Sequence, residues 1–174
     1  KIKTSGRVFA FEPVPQMAEN VRRNIELNDL EQKVILNEAC VGAESGFVKF
    51  NVTKDVSFSG VRDNNRSEVK EVIEVVSVVL DDIKELKEGP VDILKIDVEG
   101  EEADVIGGSL GIIKNSNDIL IMCEYSPKNL DTTSTANLKS QFNALIDLGF
   151  EMYAPVEFGN TPQLHSNPTN LTAK

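Results

Sequence analysis

With 174 residues, 40% of them hydrophobic and 26% charged, the chain has the make-up of one folded domain and not of a disordered segment. A formal net charge of −10, with no cluster of Lys and Arg, excludes a nucleic-acid-binding or anionic-membrane surface. No run reaches the roughly 20 apolar residues of a membrane helix, and a chain of this size buries roughly 70% of its unfolded surface without disulfide staples.

The first predicted strand is Gly6–Phe11, ended by Glu12-Pro13 because proline cannot donate to a ladder. Pro15 then suits the first position of a helix. Met17, Val21, Ile25 and Asn28 follow at four-residue steps with charged residues between them, which predicts an amphipathic helix stopping at Asn28-Asp29. Val34–Val41, closed by Gly42, is the next strand, so the opening reads as a βαβ unit. Val48, Phe50 and Val52 alternate with polar residues, and Val69–Leu80 is rich in Val and Ile. These predict an antiparallel pair added to a parallel core, with the polar loop Lys54–Ser67 over a binding face.

Asp81-Asp82 heads a short helix over Ile83–Lys87. After Gly89-Pro90 comes Val91–Glu102, the stretch around which the chain is organised. Its apolar run, Val91 to Val98, suits a strand buried on both faces in a parallel sheet with helices on both sides. Gly100–Ile106 reads as a helix that Gly107-Gly108 ends or kinks, with Leu110–Lys114 continuing it. Asp118–Glu124 is a further buried strand. Leu138, Phe142, Leu145 and Ile146 mark a helix closed by Gly149, followed by a strand over Phe150–Val156 and a loose polar tail over Asn160–Lys174.

Cys40 and Cys123 both lie in apolar runs and read as buried free thiols of a reducing, cytoplasmic protein. The triplets at Asn51, Asn65 and Asn170 match the glycosylation pattern by chance on this reading. The chain starts at Lys1 without Met and without a visible signal peptide, which reads as entry into a domain midway.

Three predicted strands end on acids, Glu12, then Asp97 with Glu99, then Glu124, and in a parallel sheet all of them would share one edge. In an open α/β sheet, ligands bind outside the carboxyl ends of the strands, and an acid after the second strand suits the two hydroxyls of a ribose. The bland alternatives are that Asp97 and Glu99 cap the helix that follows, and that Glu12 is a turn acid before its own helix. With His165 the only histidine, a Ser or Cys triad lacks its base and a His-rich zinc site is impossible. No Cys-x-x-Cys pair, phosphate loop or Gly-x-Gly-x-x-Gly occurs.

The segments Gly6–Pro15, Asn24–Leu30, Leu80–Ile83, Leu94–Glu102 and Ile121–Glu124 together resemble the FkbM-type methyltransferases. The resemblance runs from Gly6 to about Ala154, and Phe-Glu-Pro followed by Lys-Ile-Asp-Val-Glu-Gly is its most specific feature. It implies a Rossmann-like, mostly parallel α/β sheet with an antiparallel hairpin insertion. Residues 1–159 would form a partial methyltransferase domain and residues 160–174 a polar tail. It also implies S-adenosylmethionine as cofactor and methyl transfer to a hydroxyl of a small metabolite or sugar by in-line displacement. Glu12, with Pro13, would hold the ribose, and Ala39 and Cys40 would line the adenine. Asp97 and Glu99 would face the methionine end and the acceptor, either one serving as base, and Glu124 would close the far side.

The family's glycine-rich first motif and first strand are not seen ahead of Phe11-Glu12-Pro13. Two unpaired strand edges and weak cofactor binding are therefore expected of the chain as given. A non-catalytic nucleoside-binding or scaffold domain of the same fold stays open. So does a Mg²⁺ site on Asp97, Glu99 and Glu124, although the preferred reading has no metal.

Overall fold

The computed structural model describes residues 6–62, 65–125, 131–154 and 163–165. The first expected strand forms as β1 (Val8–Phe11), and Pro15 stands at the start of α1 (Pro15–Leu27). At the end of α1, Asp29 takes a left-handed φ of 52° and the Leu30 amide bonds back to the Ile25 carbonyl at 3.0 Å. A short polar residue thus does what glycine commonly does at this position. β2 (Val34–Asn37) lies parallel to β1, Val8 facing Val34 and Phe11 facing Asn37, which completes the βαβ unit.

Here the structure departs from the sequence reading. Val34–Val41 is two strands, broken at Glu38-Ala39. Its second part, β3 (Cys40–Val41), pairs parallel with β5 (Val69–Val78), which also pairs antiparallel with β4 (Gly46–Thr53). The alternation in β4 works as expected, since Phe50 and Val52 are buried in a small core with Val14, Cys40 and Val75.

β6 (Ile93–Ile96) and β7 (Leu120–Cys123) run parallel, Ile93 facing Leu120. The chain reaches β6 through a 3₁₀ turn (Leu80–Asp82) and α2 (Lys84–Lys87). Between β6 and β7 lie α3 (Glu102–Gly107) and α4 (Leu110–Lys114), separated at the predicted glycines. A Cβ on Gly108 would stand 2.6 Å from the Gly42 carbonyl oxygen, so this close approach of two backbones requires glycine. Asp81 reaches across to accept the Gly111 and Ile112 amides of α4 at 2.7 and 2.8 Å.

α5 (Thr132–Asp147) starts on Asp131, whose carboxylate accepts the Ser134 amide at 2.6 Å. It ends on Gly149, at φ 94°, with the Phe150 amide bonded to the Leu145 carbonyl. Leu138, Phe142 and Leu145 pack with Ile96, Ile106 and Ile112 in the main core.

Beyond α5, β8 (Met152–Ala154) pairs antiparallel with β9 (Gln163–His165), so three residues of the stretch expected as a loose tail form a strand. Val156 and the rest of the 160–174 tail, Asn170 included, lie outside the described residues.

One further expectation is met only in part, and another is corrected. The described strands do not form one continuous sheet: β1-β2, β3-β5-β4, β6-β7 and β8-β9 are separate ladders. Nor is β6-β7 covered on both faces. Leu94, Ile96, Ile121 and Cys123 pack on the main core, whereas Ile93, Leu120 and Met122 are 61, 55 and 53% exposed. The reason is that alternate residues of a strand point to opposite faces, and only one face meets the main core. β1 is bonded to β2 alone and β6 to β7 alone, so the two unpaired edges predicted from the sequence are present among the described residues.

Candidate active site

Parallel pairing puts the carboxyl ends of β6 and β7 side by side. The Glu124 amide donates to the Ile96 carbonyl at 3.0 Å, so Asp97 and Glu124 leave their strands as neighbours. Glu99 joins them because the backbone turns sharply: Glu99 has φ 55° and Gly100 φ 115°. One carboxylate oxygen from each of Asp97, Glu99 and Glu124 lies within 4.8 Å of the others. The structure thus brings together three of the four acids that the sequence set at strand ends, and Glu12 is not among them.

Helix capping does not account for Asp97 and Glu99. Asp97 is 2.7 Å from Lys95 Nζ, and Glu99 is 2.6 Å from an Arg66 guanidinium nitrogen. The acid that serves the start of α3 is Glu102, which accepts the Gly100 amide at 3.0 Å. Burial pushes the Glu99 carboxyl above its ordinary range; Arg66 opposes this, and the charges of Glu124, Asp97 and Glu102 add to it. Since Asp97 and Glu99 each already face a cation, a metal ion on this trio would have to compete with Lys95 and Arg66.

Glu12 stands at the end of β1, its amide bonded to the Asn37 carbonyl at 3.0 Å. Its Oε1 accepts the Val14 amide at 2.9 Å. One oxygen therefore does the turn duty anticipated as the bland reading. Burial raises this carboxyl, against the Val14 hydrogen bond. Glu12 belongs to the separate β1-β2 ladder and is not one of the three converging acids, so the single rim expected to hold it with Asp97 and Glu124 is not formed by one continuous ladder.

Pro13 follows in the same turn. Ala39 is buried in the break between β2 and β3, and Cys40, buried at the start of β3, packs in a small core with Val14, Phe50 and Val75. What these two residues can offer a flat base is therefore backbone. Both thiols are ill suited to attack: burial raises Cys40, and burial with the charges of Glu102, Glu124 and Asp97 pushes Cys123 up to about 12.

Sequence reading missed the arginines. Arg62 Nε lies 3.0 Å from Glu101 Oε1, near enough for an ion pair but without hydrogen-bond alignment. The same guanidinium is 3.6 Å from Asp104 and donates to Ser134 Oγ. Glu101 is only 7% exposed. Its burial and its hydrogen bond with Asp104 push the carboxyl up to about 7, with Arg62 opposing. The available signal was charge pairing: Arg62 and Arg66 sit in the polar loop, and Glu99, Glu101, Glu102 and Asp104 crowd the turn after β6.

The Methyltransferase FkbM domain family model matches residues 1–152. No curated protein and no solved structure matches the chain at a significant level. Among the described residues no helix is long and apolar enough to cross a membrane.

Proposed function

This chain belongs to the FkbM methyltransferase family, whose members use S-adenosylmethionine, and we propose that it methylates a hydroxyl of a small metabolite or sugar at the rim where β6 and β7 end. The observation that carries this reading is the convergence of Asp97, Glu99 and Glu124 within 4.8 Å. S-adenosylmethionine, when bound, supplies a sulfonium methyl group for in-line transfer to an acceptor oxygen.

The donor set fits such a ligand. On this reading Glu12 offers a carboxylate oxygen to the ribose hydroxyls, and the backbone at Ala39 and Cys40 flanks the adenine. Glu99 is the base: its side chain is mostly buried, it stands beside Asp97 and Glu124, and burial raises its carboxyl above the ordinary carboxylate value. Asp97 and Glu124 accept hydrogen bonds from the acceptor and hold its oxygen in line. Positioning of that kind is worth effective molarities of about 10⁵–10⁸ M, against about 10²–10⁴-fold for a base.

In fold terms, β2-β1 and β6-β7 are read as two halves of one methyltransferase sheet. The two unpaired edges support this, because parallel strands carry ligands at one shared rim. Free, sheltered Cys40 and Cys123 fit the reducing cytoplasm in which we place the protein.

The test incubates the full-length protein with S-adenosylmethionine labelled in its methyl group and a panel of sugars and hydroxylated metabolites. Label on an acceptor oxygen, reduced about 10²-fold or more by Glu99→Gln, is the expected result. Cofactor binding with no transfer across the panel would point instead to a nucleoside-binding scaffold.

A further inference from the structure

Glu99 carries a left-handed φ of 55°, a conformation unfavourable to any residue with a Cβ. Something must hold it there, and what surrounds the turn comes from a part of the chain more than thirty residues earlier. Asn51 pins the start of that segment. It exchanges backbone hydrogen bonds with Gly60 at 2.8 and 3.1 Å, and its side-chain amide donates to the Val61 carbonyl at 3.0 Å. A Cβ on Gly60 would meet the Glu99 carbonyl oxygen at 3.6 Å, so the two backbones lie against each other.

From this fixed base two arginines reach the turn. Arg66 stacks over Phe58, 3.8 Å from the ring centroid, and pairs with the Glu99 carboxylate at 2.6 Å. Arg62 pairs with Glu101 and Asp104 and extends to Ser134 at the start of α5. Successive odd residues, Glu99 and Glu101, are thus gripped on either side of Gly100.

We propose that Arg62 and Arg66 are positioning residues, which clasp the Glu99–Glu101 turn so that the Glu99 carboxylate stands beside Asp97 and Glu124. Arg62 and Arg66 are then part of the wall of the site, in place before any acceptor arrives. This rests on the reading of Glu99 as the acceptor-side base only for its consequence. The clasp itself is a property of the ligand-free chain and is tested there, so failure of methyl transfer would not touch it.

The experiment follows the backbone amides of Glu99 and Gly100 by NMR in the ligand-free chain. Arg62→Met, although Arg62 does not touch Glu99 in an ion pair, shifts both resonances. It also speeds hydrogen exchange at the Gly100 amide, now held by Glu102, by about tenfold or more. Arg62→Lys brings both back toward wild type, which a merely space-filling role would not produce. Arg66→Met gives the same displacement from the other side and keeps the test open if Arg62→Met does not fold. Unchanged Glu99 and Gly100 signals in folded Arg62→Met or Arg66→Met protein would overturn the clasp.

Discussion

Replacing Arg62 by Met gives a stability loss whose size depends on pH. Glu101 is buried, and its carboxyl is pushed up to about 7 from 4.5. The folded chain therefore holds that proton more tightly than the unfolded chain. This contribution to stability is fully present below about pH 4.5 and fades as pH rises through about 7. Arg62 lowers the same carboxyl, so it matters to the charged form only.

At pH 5.5 Glu101 is neutral, and the variant loses just the half-exposed pairing with Asp104 and the bond to Ser134, about 0.5–1 kcal/mol. At pH 8.5 a buried carboxylate would face no cation. Breaking a fully buried pair costs about 3–5 kcal/mol, and the partial exposure of Arg62 reduces this to about 2 kcal/mol. For a domain of this size that is a fall in Tm of about 4–8 °C at pH 8.5, against about 1–4 °C at pH 5.5. Thermal unfolding of wild type and Arg62→Met at both pH values measures it. A loss that is equal at the two pH values, or larger at pH 5.5, would refute the assignment of Glu101 as the group that Arg62 serves.

Other perturbations have equally definite outcomes. Asp81→Ala removes the acceptor of the Gly111 and Ile112 amides; stranding the buried one costs about 1–3 kcal/mol, read as a lower urea midpoint at unchanged slope. Gly108→Ala drives a Cβ against the Gly42 carbonyl oxygen at 2.6 Å, where two backbones must separate; a loss of about 1–3 kcal/mol is expected, and wild-type stability would contradict the packing described. In the methyl-transfer assay, Glu99→Gln lowers kcat more than Asp97→Asn or Glu124→Gln; the reverse order would move the base to another member of the trio.

The strands and helices were largely legible because local rules and tertiary packing agree. Pro13 and Pro15, Asn28-Asp29, Gly107-Gly108 and Gly149 each punctuate the chain through backbone geometry that a single residue dictates. The meeting of Asp97, Glu99 and Glu124 was legible for a related reason, since parallel strands bring their carboxyl ends to one edge; the same rule put Glu12 on that edge, and it is not among the converging acids because β1 pairs in a separate ladder. What was not legible is long-range. The break in Val34–Val41 arises because Cys40–Val41 prefers a different partner, β5, and apolar residues alone do not name a partner strand. The pairing of Arg62 with Glu101 joins residues 39 apart through a loop whose path no periodicity encodes. The exposed face of Ile93, Leu120 and Met122 was hidden too, because a run of apolar residues reads the same whether one face or both are covered.

The most direct test of the account is calorimetric titration of the full-length protein with S-adenosylhomocysteine, comparing wild type with Glu12→Gln. If the Glu12 carboxylate holds the ribose, losing its charge weakens Kd by about tenfold or more. Equal affinity for the two proteins would contradict it, and would leave Glu12 with only its turn-forming bond to Val14.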